Sequence, residues 1–256
     1  MNMGKIIAVA NQKGGVGKTT TCVNLSACIG KLGKKVLVCD MDPQGNTTSA
    51  LGINKNRLTK SIYDVIIGGE KVKNAVVKSK YCDVLPANRE LSGAGIELVG
   101  VDDREYALKT ALSEVKEKYD FIFIDCPPSL ELLTVNSLTA AEGVLIPVQC
   151  EYFALEGLSD LMNTVRIIRK KLNPGLEIEG ILMTMYDGRT NLSMQVCEEV
   201  KKYFKDKVYS VAIPRNVRLS EAPSHGKSVI EYDGASKGAK AYLSLAEEVI
   251  KRNKRR

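Results

Sequence analysis

Short apolar runs alternate along this chain with longer stretches whose apolar residues recur every three or four positions. Ile6–Ala10 and Lys35–Cys39 read as strands buried on both faces, and Phe121–Asp125 as a third apolar strand closed by an acid. Gly143–Pro147 and Ile178–Met185 read as two more. Between them, Cys22, Leu25, Ile29 and Leu32 recur at helical spacing, with Gly33 as a stop. Helical patterns also cover Glu105–Lys118, Leu130–Ala141, Leu192–Phe204 and Ala235–Lys251. Leu155, Leu158, Met162, Val165, Ile168 and Leu172 mark one long amphipathic helix that stops at Asn173-Pro174-Gly175. The stretch Asn54–Asn88 is more polar, with weak patterns around Ile62–Ile67 and Val84–Pro86. Strands alternating with helices predict an α/β fold, a mostly parallel twisted sheet with helices on both faces. No linker, repeat or low-complexity segment interrupts the pattern, so residues 1–256 are read as one domain.

Composition narrows the class. Hydrophobic residues at 44% and charged residues at 26% are ordinary for a globular protein. No run approaches the roughly 20 apolar residues of a membrane span. The chain passes directly into a strand, so no signal or transit peptide is read, and a cytoplasmic location is expected. Cys22, Cys28, Cys39, Cys82, Cys126, Cys150 and Cys197 are scattered, with no C-x-x-C pair. That spacing argues for reduced core thiols rather than a disulfide framework or zinc ribbon. With 37 basic and 30 acidic residues the net charge is +7, which permits an anionic partner.

The densest chemistry lies between the first strand and the first helix, in Asn11-Gln12-Lys13-Gly14-Gly15-Val16-Gly17-Lys18-Thr19-Thr20. Strand, glycine loop and helix form the context that a phosphate-binding loop requires. Glycines let backbone N–H groups converge on phosphate oxygens, and the helix N-terminus adds partial positive charge. Lys18 would reach the β- and γ-phosphates, and the Thr19 hydroxyl would hold Mg²⁺. The ordinary pattern G-x-x-x-x-G-K-[ST] asks for glycine where this chain has Gln12, and Lys13 is an additional cation at the loop entrance.

Two strands end in aspartate, and ligands of parallel sheets bind beyond the carboxyl ends of strands. Asp125 fits the role that holds Mg²⁺, usually through a water. Asp40 and Asp42 lie two residues apart, and either could orient the attacking water. Phosphoryl transfer asks a protein mainly for positioning and charge neutralisation, which this set would supply.

Lys13–Thr20, Asp40–Asn46 and Phe121–Pro128 resemble the deviant Walker A, A′ and Walker B motifs of the ParA/MinD superfamily. Asp187–Leu192 and Ile213–Lys227 resemble its chromosomal ParA (Soj) branch, so the likeness covers nearly the whole chain. The resemblance implies a P-loop NTPase fold, a sheet sandwiched by helices. It implies ATP and Mg²⁺ as cofactors and a homodimer with ATP between its subunits. Lys13 matches the signature lysine that reaches the other subunit's phosphates, and Asp42 the acid that positions the hydrolytic water. Pro214 and Asn216 match residues beside the adenine; the loop residues Gly14, Gly15, Val16, Gly17, Lys18, Thr19 and Thr20 cradle the phosphates. The family's ATP-bound dimer binds DNA without sequence preference, and a ParB-type centromere-binding partner stimulates hydrolysis and release. The role implied is therefore a nucleoid-associated partition ATPase. No helix-turn-helix extension of the kind found in plasmid repressors precedes the first strand, so a repressor role is not expected. Arg189 and Arg218, each inside a branch motif, are the candidate DNA contacts, because a planar guanidinium donates two bonds to one phosphate.

Rival roles leave weaker marks. MinD-like membrane cycling would need a C-terminal amphipathic helix. Here Tyr242, Leu243, Leu245, Ala246, Val249 and Ile250 have the spacing of a helix packed on its own core, and no bulky aromatic anchor follows. The basic tail Lys251–Arg256 reads as a solvated terminus that could add to DNA attraction. A nitrogenase-like reductase would use Cys126 or Cys150 at a shared cluster, but small buried thiols are the commoner explanation. Biosynthetic ligases of the P-loop class would need an acceptor pocket that no motif marks. His225, the single histidine, is read as loop structure. Lys201, Lys202, Lys205 and Lys207 surround Tyr203-Phe204, yet the stripe Leu192, Val196, Val200 and Tyr203 predicts core packing.

Overall fold

The computed structural model describes residues 4–254; Arg255 and Arg256, the end of the basic tail, lie outside the described residues. Strands β1 (Lys5–Val9), β2 (Val36–Asp40), β3 (Val77–Lys78), β4 (Asp83–Leu85), β5 (Phe121–Asp125), β6 (Gly143–Gln149) and β7 (Glu177–Thr184) form one sheet. Its order is β3-β4-β2-β5-β1-β6-β7, parallel throughout except for the β3–β4 pair at one edge.

The apolar runs are continuous because both faces of the sheet are covered. Ala8, Leu37, Cys39, Ile122, Ile124 and Ile146 point to one face, where helices Leu132–Ala140, Ala154–Lys171 and Asn191–Phe204 pack. Their neighbours Ile7, Val9, Val38, Phe123, Leu145 and Leu182 point to the other, against helices Lys18–Lys31 and Lys237–Lys254. A strand's period of two thus splits each run between two cores, giving three layers. Each fully buried Leu, Ile or Phe in these layers contributes about 1.5–3 kcal/mol of transfer free energy.

Helix Lys237–Lys254 buries Tyr242, Leu245, Ala246 and Val249 against helix Lys18–Lys31 and the sheet. Its apolar face is spent on the protein's own core. No helix among the described residues is long and apolar enough to cross a membrane.

Three expectations need correction. The pattern across Glu105–Lys118 breaks into a 3-10 turn at Arg104–Tyr106, a helix at Ala107–Ser113 and a second turn at Lys116–Lys118. Leu32 caps the first helix at 40% exposure instead of packing. On helix Asn191–Phe204, Val196, Cys197 and Val200 face the core, whereas Leu192 and Tyr203 stand at 44% and 66% exposure. That stripe is narrower than its spacing suggests, because only one side of the helix meets the core, beside helix Ala154–Lys171 and the turn Lys205–Lys207. The polar stretch holds the edge pair β3–β4, whose two- and three-residue strands are too short to leave a period.

Register places the chemistry. Val9 pairs with Asp125, and Asp40 pairs with Asp125 across the β2–β5 ladder. Gln149 pairs with Thr184. The loops after β1, β2, β5, β6 and β7 therefore open at the same end of the sheet.

Candidate nucleotide site

The loop after β1 is built from both ends. Buried Asn11 donates from Nδ2 to the Pro147 carbonyl at 2.8 Å, and its Oδ1 accepts from the Lys13 N–H at 3.0 Å. At the far end the Thr184 hydroxyl donates to the Val16 carbonyl at 2.8 Å. Gly15 and Gly17 adopt φ values of 75° and 90°, a left-handed backbone that only glycine takes without strain. Gly17 caps helix Lys18–Lys31, no side chain bonds its first turn, and no acid lies there. The free N–H groups of that turn form an anion site. Lys18 lies over the loop, its Nζ donating to the Lys13 carbonyl at 2.8 Å. Burial holds its pKa below the ordinary lysine value, with Asp125 the largest opposing influence.

Three carboxylates stand beneath the loop with different duties. The Asp40 carboxylate accepts from the Thr48 N–H at 2.8 Å, the Thr48 hydroxyl at 2.7 Å and the Asp42 N–H at 3.2 Å. It is fully engaged in shaping the loop Met41–Gly45. Asp42 accepts from the Gln44 N–H at 2.9 Å. Of this pair, Asp42 is the one less bound by its own chain. Asp125 Oδ2 accepts from the hydroxyls of Thr19 at 2.8 Å and Thr47 at 2.7 Å, while its buried Oδ1 has no hydrogen-bond partner. Burial first, then the nearby Asp40, raises the Asp125 pKa above the ordinary carboxylate range. The orphaned oxygen beside a threonine hydroxyl fits a hard divalent ion or its water, which favour oxygen donors.

Beside Gly17 and Thr20 a cavity of about 370 Å³ is walled by Thr184, Met185, Pro214 and Asn216 among others. Pro214 is held against Tyr186 by a β-bridge, and Asn216 Oδ1 caps helix Val217–Glu221 by accepting from the Arg218 N–H at 3.1 Å. The structure thus brings these two residues, far apart from the loop in sequence, to its side. Met185 lines the cavity with a φ of 50°, a left-handed backbone unusual outside glycine.

The two candidate DNA residues lie outside this cluster. Arg189 is 90% exposed and makes a forked ion pair with Asp187, at 2.9 and 2.7 Å. That pairing holds the Asp187 pKa down at about 2. Arg218 pairs with Glu221 at 2.8 Å and Asp233 at 3.3 Å. His225, at the end of the 3-10 turn Ala222–His225, stacks on Tyr232 of the short helix Val229–Tyr232, with ring centres 4.9 Å apart. Cys126 is buried, its thiol pushed up to about 12 by desolvation.

The chain is 61% identical to the sporulation initiation inhibitor protein Soj of Bacillus subtilis, over 96% of this chain and 98% of that protein. The chain belongs to the chromosomal ParA (Soj) family. It is 51% identical to the chromosome partitioning protein ParA of Myxococcus xanthus, over 98% of this chain and 89% of that one. A family described as AAA domain matches residues 4–178, from β1 into β7. Among solved structures, a cobyrinic acid a,c-diamide synthase from Mycobacterium smegmatis with bound ADP and magnesium superposes with a TM-score of 0.87. It is 38% identical, covering 98% of this chain and 96% of that one. The chain is thus a partition-type ATPase by family, with the sheet and loops of a P-loop NTPase.

Thr184, Phe153 and Gly157 escaped the sequence reading of this ParA-family site. Thr184 secures the glycine loop. The Lys13 ammonium donates to the Phe153 carbonyl and lies 5.3 Å from the Phe153 ring centre. None of the three sits in a motif, and no spacing rule points to them.

Proposed function

We propose that this chain is a Mg²⁺-dependent ATPase whose ATP-bound form pairs with a second copy and binds DNA without sequence preference. A ParB-type partner then stimulates hydrolysis and release, so that nucleotide turnover drives partition. The observation that carries this reading is the position of Lys13. Lys18 already serves the chain's own loop, while Lys13 turns outward to an exposed aromatic turn, Tyr152-Phe153. A second cation that does not serve its own phosphate site is suited to the phosphates of a facing copy.

In this reading the N–H groups of Gly14–Thr20 and Lys18 hold the phosphates, and the cavity beside Pro214 and Asn216 takes the adenine. Thr19 and Asp125 would hold Mg²⁺, which neutralises charge between the β- and γ-phosphates. Asp42 accepts a hydrogen bond from the attacking water and aligns it with the γ-phosphorus. Lys13 of one copy neutralises charge gathering on the other's nucleotide. Arg189 and Arg218 exchange their carboxylate partners for DNA phosphates, an exchange favoured because exposed ion pairs bind weakly.

Membrane cycling is disfavoured by the burial of Tyr242, Leu245 and Val249 on the core. Ligase chemistry is disfavoured by the identity gradient, 61% with Soj against 38% with the synthase. The test is phosphate release by the full chain with ATP and Mg²⁺, alone and with duplex DNA and a ParB-type partner. Stimulation by the two together is expected; turnover indifferent to both would remove the partition cycle.

A further inference from the structure

The place where Lys13 rests has the features of a temporary one. Its ammonium donates to the Phe153 carbonyl, which also accepts the Gly157 N–H at 3.3 Å, and it faces the Phe153 ring. Its aliphatic stem lies across Gly157. A Cβ on Gly157 would stand 2.9 Å from Lys13 Cε and 3.2 Å from Cδ, so the lysine stem would have to shift. Gly157 lies in the first turn of helix Ala154–Lys171, and glycine is a poorer helix former than alanine. The three heavy atoms nearest to that Cβ all belong to Lys13.

The resting place is also electrostatically divided. A carbonyl and an aromatic face attract the ammonium, but the N-terminal end of a helix carries partial positive charge that opposes it. The lysine is held, yet a phosphate would draw it away.

We propose that Phe153 and Gly157 form a cis berth for Lys13 in the single chain, and that ATP-driven pairing exchanges this berth for the partner copy's phosphates. The second clause rests on the dimer reading given above; the first does not. Phe153 and Gly157 are then positioning residues that set how readily two copies pair. With the berth filled, an unpaired chain keeps its extra cation off its own phosphates.

Gly157→Ala supplies the test, because a methyl on a firm helix displaces a flexible lysine stem rather than the backbone. In the nucleotide-free chain, acetylation of Lys13 relative to exposed Lys73, read by peptide mass spectrometry, should rise severalfold. Phe153→Leu, which keeps the carbonyl and loses the ring, should move it the same way by less. With ATP and Mg²⁺, the dimer dissociation constant of Gly157→Ala should fall about fivefold, the scale of one charge-assisted bond partly offset by the helix end. Unchanged Lys13 labelling in Gly157→Ala would overturn the berth. A weaker Gly157→Ala dimer would overturn the exchange and assign the glycine to close approach of the second chain. Failure of the unaltered chain to pair in ATP would strike the dimer reading, while the labelling contrast would still decide the berth.

Discussion

The Thr184 hydroxyl, at the end of β7, donates a 2.8 Å hydrogen bond to the carbonyl of Val16 inside the glycine loop. The two residues are 168 positions apart, and Thr184 also lines the neighbouring cavity. Turning the Val16 carbonyl toward β7 leaves the loop's N–H groups free to face a ligand. Thr184→Val keeps the shape and removes the donor. ATP affinity should fall about fivefold, the equivalent of roughly 1 kcal/mol for one buried hydrogen bond, with the fold intact. Calorimetric titration with the nucleotide reads this directly.

Asp125 gives a pH dependence of known sign. Its pKa in the nucleotide-free chain is raised, to about 7, by burial and then by Asp40. A carboxyl raised above its unfolded value contributes fully below the unfolded pKa and loses that contribution as pH rises through the folded one. Stability of the unaltered chain relative to Asp125→Asn should therefore decline between about pH 4 and pH 8. At pH 8 the asparagine variant should be the more stable by about 1–3 kcal/mol. Urea midpoints across that range provide the measurement. A constant difference would mean that Asp125 is ionised without penalty.

Asp42 and Asp40 should separate in kinetics. Asp42 holds one loop N–H, whereas Asp40 holds two N–H groups and a hydroxyl. Asp42→Ala should keep ATP binding within a few-fold and slow single-turnover phosphate release at least a hundredfold. Asp40→Ala should instead lower the melting temperature by leaving buried donors of Thr48 and Asp42 unpaired. Ordinary release from Asp42→Ala would move the water-positioning role elsewhere.

Arg189→Ala and Arg218→Ala should each weaken DNA binding equally on two unrelated duplexes. The log–log salt slope should flatten by roughly one or two units across a dimer, at about 0.9 per phosphate. ATP-dependent pairing should be untouched, because both side chains are exposed and bonded only to neighbouring carboxylates. Unchanged slopes in both would shift the surface toward exposed Lys201, Lys202 and Lys205.

The parts of this fold legible in sequence were those whose physics is local. β1, β2 and β5 are buried on both faces, so they read as unbroken apolar runs, and the glycine loop reads from its spacing. Asp125 was legible because it ends such a run. The edge pair β3–β4 was not, since Val77–Lys78 and Asp83–Leu85 are too short to carry a pattern. The breaks around Ala107–Ser113 and the exposure of Leu192 and Tyr203 depend on what lies alongside, which periodicity does not encode. In the site, the residues alone left Asp40 and Asp42 equivalent and only the resemblance singled out Asp42; the physical difference lies in Thr48, which occupies Asp40. Thr184, Phe153 and Gly157 act through partners 140 or more positions away, the distance over which composition and spacing say nothing.

ATP is expected to join two copies into a DNA-binding unit. Sedimentation velocity of the full chain with a fluorescent duplex and Mg²⁺, in ATP and in ADP, measures both events at once. With ATP, the Asp42→Ala chain should sediment as a dimer and carry the duplex, with equal affinity for an unrelated sequence. With ADP it should sediment as a single chain and leave the duplex free. Equal DNA binding in the two nucleotides, or an ATP-loaded single chain on DNA, would rule out ATP-dependent pairing as the source of DNA binding.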